Sequence, residues 1–174
     1  MQAWRALQLD WTESFEHTVE QWVSAAPRRE FDRRVLLAGS TPPDDRLHRA
    51  VEAGHANVVD EYFDGALAHT LARWTGPAKT IEDIADRYRA ARTTPAAWLD
   101  SPSLLVERAR VARADAIVLW FIEEDEGIVW EVPRQVALLR SSGFPVLSLV
   151  RQSWNAPTEK LDQITRFAAT GVPA

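Results

Sequence analysis

Four short apolar runs, separated by longer amphipathic stretches, organise this chain. RRVLLAGS at 33–40 is a continuous hydrophobic run closing in Gly-Ser, the mark of a strand buried on both faces. NVVDEY at 57–62 predicts a second short strand, ADAIVLWFI at 114–122 the strongest one, and FPVLSLV at 144–150 a fourth. Between them the apolar spacing lengthens to that of helices. TESFEHTVEQWVSA at 12–25 places Phe15, Val19, Trp22 and Val23 at helical intervals and ends before Pro27. Asp44 or Asp45 can cap a helix that runs through Ala53 and is stopped by Gly54. Further helices are expected at 80–92 and 103–113, divided by the proline-containing loop TTPAAWLDSPS. One more over roughly 131–141 ends before Gly143, and a last one at 156–169 has Pro157 in its first turn.

Strands that alternate with helices and read as unbroken apolar runs argue for a parallel sheet covered on both faces. Right-handed crossovers then restrict the topology to a doubly wound α/β fold, Rossmann- or flavodoxin-like, with a four-stranded sheet in the order 2-1-3-4 and an N-terminal helix. Residues 1–32 are expected to form a helical segment packed on one α/β domain at 33–174, a size normal for a single core.

Composition narrows the function classes. With 46% hydrophobic and 26% charged residues the chain has the make-up of a folded globular protein. A net charge of -5 removes a general phosphate-neutralising surface, so nucleic acid is not an expected partner despite local clusters such as Arg28, Arg29, Arg33 and Arg34. No run approaches the roughly 18 apolar residues of a membrane helix, and MQAWRALQLDWTESFE lacks the apolar stretch of a secretory leader; a cytoplasmic address is the expectation. The chain has no cysteine, which excludes disulfides, thiolate zinc sites and cysteine nucleophiles. Eight tryptophans point to core and interface packing, with stacking on a ligand or partner as the alternative.

In an open parallel sheet, ligands bind beyond the carboxyl ends of the strands, where strand order reverses. That rule selects Gly39, Ser40 and Thr41 after the first strand, and Glu61, Tyr62 and Asp64 after the second. It also selects Glu123, Glu124, Asp125 and Glu126 after the third, and Arg151, Gln152 and Trp154 after the fourth. Gly39-Ser40-Thr41 is similar to the start of a phosphate-binding turn, although neither G-x-G-x-x-G nor G-x-x-x-x-G-K-[ST] is present. The run Glu123–Glu126 suits a hard cation or acid–base work, and equally a solvated acidic loop. His17, His48, His55 and His69 show no paired metal spacing, and no G-x-S-x-G elbow supports a hydrolase triad.

Three segments read together resemble the C-terminal domain of the 2-hydroxyacyl-CoA dehydratase and benzoyl-CoA reductase family. They are RVLLAGSTPPDDRLHRAVEAGHANVVDEYFDG at 34–65, ADAIVLWFIEEDEGIVWEVPRQVALLRSSGFPVLSL at 114–149, and RQSWNAPTEKLDQITRFA at 151–168. Family members carry an additional N-terminal lobe and hold a four-iron cluster through cysteines. Counting from Pro133, the cysteine of the family's Phe-Cys-Asp-Pro motif falls on Asp125; counting from Val58 and Val59, that of its Cys-Thr-Gly motif falls on Asp64.

Carboxylates are hard donors and do not replace thiolates at an iron–sulfur centre, so the resemblance implies no such cofactor and no cluster-based radical chemistry. It implies a degenerate, cluster-free accessory or structural subunit that associates with itself or with a full-length dehydratase or reductase subunit. A second implication is an enzyme that binds acyl-CoA and uses Asp64, Asp125 and Glu124 for acid–base work, or Asp64 and Asp125 to hold a hard cation. A third reading is a small-molecule sensor, with Gly39, Ser40, Thr41, Tyr62, Arg151 and Trp154 around the ligand.

Overall fold

The computed structural model describes Gln21, Ser24, residues 30–63, residues 80–83, residue 85 and residues 101–172. The chain divides into two compact units, Met1–Phe31 and Asp32–Ala174. In the first, Gln21 and Ser24 are helical, within the helix expected at 12–25, whose other residues lie outside the described ones. The second unit holds the sheet and the helices that cover it.

Its four strands are β1 (Arg33–Gly39), β2 (Ala56–Phe63), β3 (Ala116–Ile122) and β4 (Val146–Gln152). They form one all-parallel sheet in the order β2-β1-β3-β4, the doubly wound arrangement that the apolar runs predict. The helices are α1 (Arg46–Ala53), α2 (Ser101–Val111), the single turn α3 (Glu126–Val129), α4 (Val132–Ser141) and α5 (Thr158–Thr170).

Alternation along the strands sorts the core into two layers. Val35 and Leu37 of β1, with Ala116, Val118 and Trp120 of β3, pack under α1 and α5 through Leu47, Val51, Ile164 and Phe167. Leu36 and Ala38, with Ile117, Leu119 and Phe121, pack under α2 and α4 through Leu105, Ala109, Val132 and Leu139. All seven residues of β3 are buried. Burying each such Leu, Ile or Phe contributes about 1.5–3 kcal/mol, so the central strand pair is the anchor of the unit.

Helix ends follow local chemistry. Asp44 Oδ1 accepts the backbone N–H of Arg46, so of the two predicted caps it is Asp44 that serves the first turn of α1, and Asp45 makes no side-chain cap bond. Gly143 takes φ 91° after α4, and the N–H of Phe144 reaches back to Leu139 O, closing the helix as the glycine suggests. Arg113, at φ 52°, does the same after α2, with Ala114 N–H bonded to Ala109 O.

Several boundaries differ from the sequence reading: β3 starts at Ala116, not at residue 114, β2 runs from Ala56 to Phe63, and α2 ends at Val111. Residues 123–127 are not wholly loop, since Glu126 opens α3. β4 starts at Val146 because Phe144 and Pro145 complete the turn, and it extends to Gln152 through a bulge. Pro157 is the N-cap of α5, one residue before its first turn, with the extended ψ of 144°. α2 starts at Ser101, so Pro102 lies in its first turn, where the missing N–H removes no helical bond.

Candidate functional site

The strand order reverses between β1 and β3, and the segments after these strands stand where ligands bind in this fold class. On the β1 side, Gly39 has φ 121°, and a Cβ at this position would lie 1.9 Å from Trp120 O. Glycine is needed here because β3 passes so close. Ser40 is 1% exposed; its N–H donates to Trp120 O (2.7 Å) and its hydroxyl accepts the N–H of Ile122 (3.0 Å). The side chain thus adds one rung to the β1–β3 ladder where backbone pairing ends. Thr41 is half-buried.

A carboxylate already stands at the start of α1. Asp44 accepts from the N–H of Arg46 and from both Nε (2.7 Å) and Nη2 (2.6 Å) of its guanidinium, which raises the Arg46 pKa above its usual value. Arg46 Nη1 also donates to Asn155 O in the segment after β4, so the segments after β1 and β4 are tied together. A helix N-terminus occupied in this way offers little to a phosphate.

Beyond β3, Glu123, Glu124 and Glu126 are exposed and Asp125 is half-buried. Among the described residues, only backbone groups anchor this run: Glu123 N–H to Gln152 O (3.0 Å) and Asp125 N–H to Ile122 O (3.3 Å). Trp130, just after α3, is 84% exposed. Glu131 then caps α4, its side chain 29% exposed, with Arg134 Nη1 at 3.7 Å from Oε2. That oxygen is buried and has no hydrogen-bond partner. Sequence reasoning placed Glu131 only as a helix start. The signal was a carboxylate opening the helix that follows the central strand.

The other candidates are structural or peripheral. Glu61 meets His48 Nε2 of α1 at 2.7 Å. Tyr62 is covered by the guanidinium of Arg108, 5.3 Å from its ring centroid, and Arg108 also reaches Asp60 at 2.5 Å. Edge strand β2 is therefore clamped by His48 of α1 and Arg108 of α2. Arg151 is exposed at φ 55°, in the bulge where β4 slips one residue against β3. Gln152 turns back on Val150 O, and Trp154 is 46% exposed.

Asp64 lies outside the described residues. The structure brings Gly39, Ser40, Thr41 and Asp125 to the ends of the two central strands, and leaves Tyr62, Arg151 and Trp154 on the flanking ones. A separate groove of about 430 Å³ is lined by Val59, Asp60, Leu104, Glu107, Arg108, Val111 and Ala112, from β2, α2 and the turn after it. Among the described residues no three His, Asp or Glu side chains form a group that could hold a metal ion. Among them, too, no helix is long and apolar enough to cross a membrane.

No family model matches this chain, and no curated protein does. The likeness to the dehydratase and reductase subunits therefore rests on the three segments alone.

Proposed function

We propose that the α/β unit binds a small organic molecule in the crevice beyond β1 and β3, and that Glu131 is the carboxylate that receives it. The observation that carries this reading is the buried Oε2 of Glu131, at the start of α4, which accepts no hydrogen bond among the described residues, its nearest cation there being Arg134 Nη1 at 3.7 Å. A buried acceptor without a donor is costly, on the order of 1–3 kcal/mol, and a bound hydroxyl or amino group offsets that cost.

Electrostatics define the ligand class. Glu123, Glu124, Asp125, Glu126 and Glu131 follow β3, and Asp44 fills the start of α1. This setting favours neutral or cationic molecules rich in hydroxyl or amino donors, and disfavours phosphate-bearing ones such as acyl-CoA.

Isothermal titration with ribose, adenosine and spermidine as donor-bearing probes, and coenzyme A as the phosphate-bearing counter-probe, tests the reading. Binding of at least one donor-bearing probe, lost in Glu131→Gln, is expected. Binding of coenzyme A alone, or binding indifferent to Glu131→Gln, contradicts it.

A further inference from the structure

Two exposed patches at opposite ends of β3 match each other in chemistry. Past its carboxyl end lie Glu123, Glu124 and Glu126, all exposed, beside Trp130 at 84% exposure. Before its amino end lie Arg110 and Arg113, both exposed, beside Val111 at 79% exposure. Each patch thus pairs one solvent-facing apolar side chain with unpaired charges of mostly one sign, acidic at one end and basic at the other; Glu107, in the groove beside Val111, is the exception at the basic end, and Arg134 at the acidic end is paired with Glu131. Glu123, Glu124, Glu126, Arg110 and Arg113 make no ion pair among the described residues, whereas Arg34, also at the amino end, is closed on Asp115.

The patches cannot meet within one molecule. Seven residues of extended β3 separate them, roughly 23 Å at the rise of a parallel strand. They can meet between two molecules, and the contact is then heterologous: the acidic end of one copy against the basic end of the next.

We propose that a second copy of this chain docks head to tail, with the Trp130 side chain and Glu123, Glu124 and Glu126 of one molecule seated on Val111, Arg110 and Arg113 of the next. Trp and Arg are the residue types that dominate interface energetics, and the opposite fields speed encounter and fix its orientation. The association is open-ended unless rotation closes it into a ring, so it grows with concentration. It is also weakened by salt, because the charged groups are exposed.

Sedimentation velocity of the full chain tests this without any small molecule, so its outcome is independent of the ligand reading. At about 50 mM salt the average mass rises with concentration above the 19.6 kDa of one chain, and at about 500 mM it falls back. Glu124→Arg with Glu126→Arg, and separately Arg110→Glu with Arg113→Glu, each stay monomeric. Mixed in equal amounts the two variants associate again, since one supplies an intact basic end and the other an intact acidic end. Trp130→Ser, at a position too exposed to affect folding, weakens association at least about tenfold. A wild-type protein that stays monomeric at low salt overturns the proposal. So does a dimer that survives either charge reversal, or a pair of variants that fails to recombine.

Discussion

The two ends of the sheet are built on different terms. At the starts of β1 and β3, polar groups close on each other. Arg34 grips Asp115 through its N–H (2.9 Å), Nε (3.2 Å) and Nη2 (3.0 Å), while Asp115 N–H returns to Arg34 O (2.7 Å), so the starts of β1 and β3 are stitched side chain to backbone. At the carboxyl end the backbone is equally well held, by Gly39, Ser40 and the bonds to Trp120 and Ile122. The carboxylates that follow β3 are not. Among the described residues, the four acidic residues after β3 have only backbone anchors, and Glu131 keeps a buried oxygen without a hydrogen-bond donor. The paired starts of β1 and β3 serve the fold, while the segment after β3 carries unmet polar groups on a rigid frame, which is the arrangement expected of a binding site.

The largest effect belongs to the frame that both ends share. Phe121→Ala removes a fully buried ring from β3 and should lower the unfolding free energy by about 3–5 kcal/mol, measured by urea denaturation. A smaller loss would mean that the α2–α4 layer collapses into the space. Ser40→Ala separates the hydrogen bond from the packing. It leaves the Ile122 N–H at the ladder's end without its acceptor, at about 1–3 kcal/mol in the same assay, and Ser40→Thr tests whether the hydroxyl alone is enough.

At the amino end, Asp115→Asn sharpens the contrast through pH. The hydrogen bond from Arg34 holds the Asp115 carboxyl below the usual carboxylate range, against a smaller opposing effect of burial. A carboxyl depressed in the folded state adds stability that is fully present above its unfolded value, about 3.9, and is lost as pH falls through its lower folded value. Wild type should therefore lose stability relative to Asp115→Asn below about pH 4 and keep a small advantage at neutral pH. The pair is exposed, so the advantage is modest. Equal acid sensitivity of the two proteins would remove Asp115 from the account. At the carboxyl end, Glu131→Gln should have the smallest effect on folding, within about 0.5 kcal/mol of wild type, because Glu131 makes no side-chain cap bond to α4.

Much of the frame was legible in the residues themselves. The runs at 33–40 and 114–122 read as doubly buried strands because both faces of β1 and β3 are covered, and the order 2-1-3-4 followed from connection rules. The bulges were not legible. β2 gains a residue opposite Val35 and Leu36, and β4 gains one beside Arg151, where no glycine announced the left-handed backbone. Ser40 was legible as a position but not as a role, since a hydroxyl that completes a ladder looks the same in sequence as one that binds a ligand. Glu131 was hidden by four neighbouring acids. A run of carboxylates draws the eye, while a single one with a buried, unbonded oxygen is visible only once the helix start and its packing are known.

Thermal unfolding of Glu131→Gln beside wild type, each alone and with ribose, adenosine and spermidine, tests most directly whether the carboxyl end is kept for a ligand. The two proteins should melt together when alone, and at least one probe should raise the wild-type Tm while leaving the variant unmoved. A variant that melts several degrees lower by itself, beside a wild type that no probe stabilises, would make Glu131 a structural residue and contradict the account.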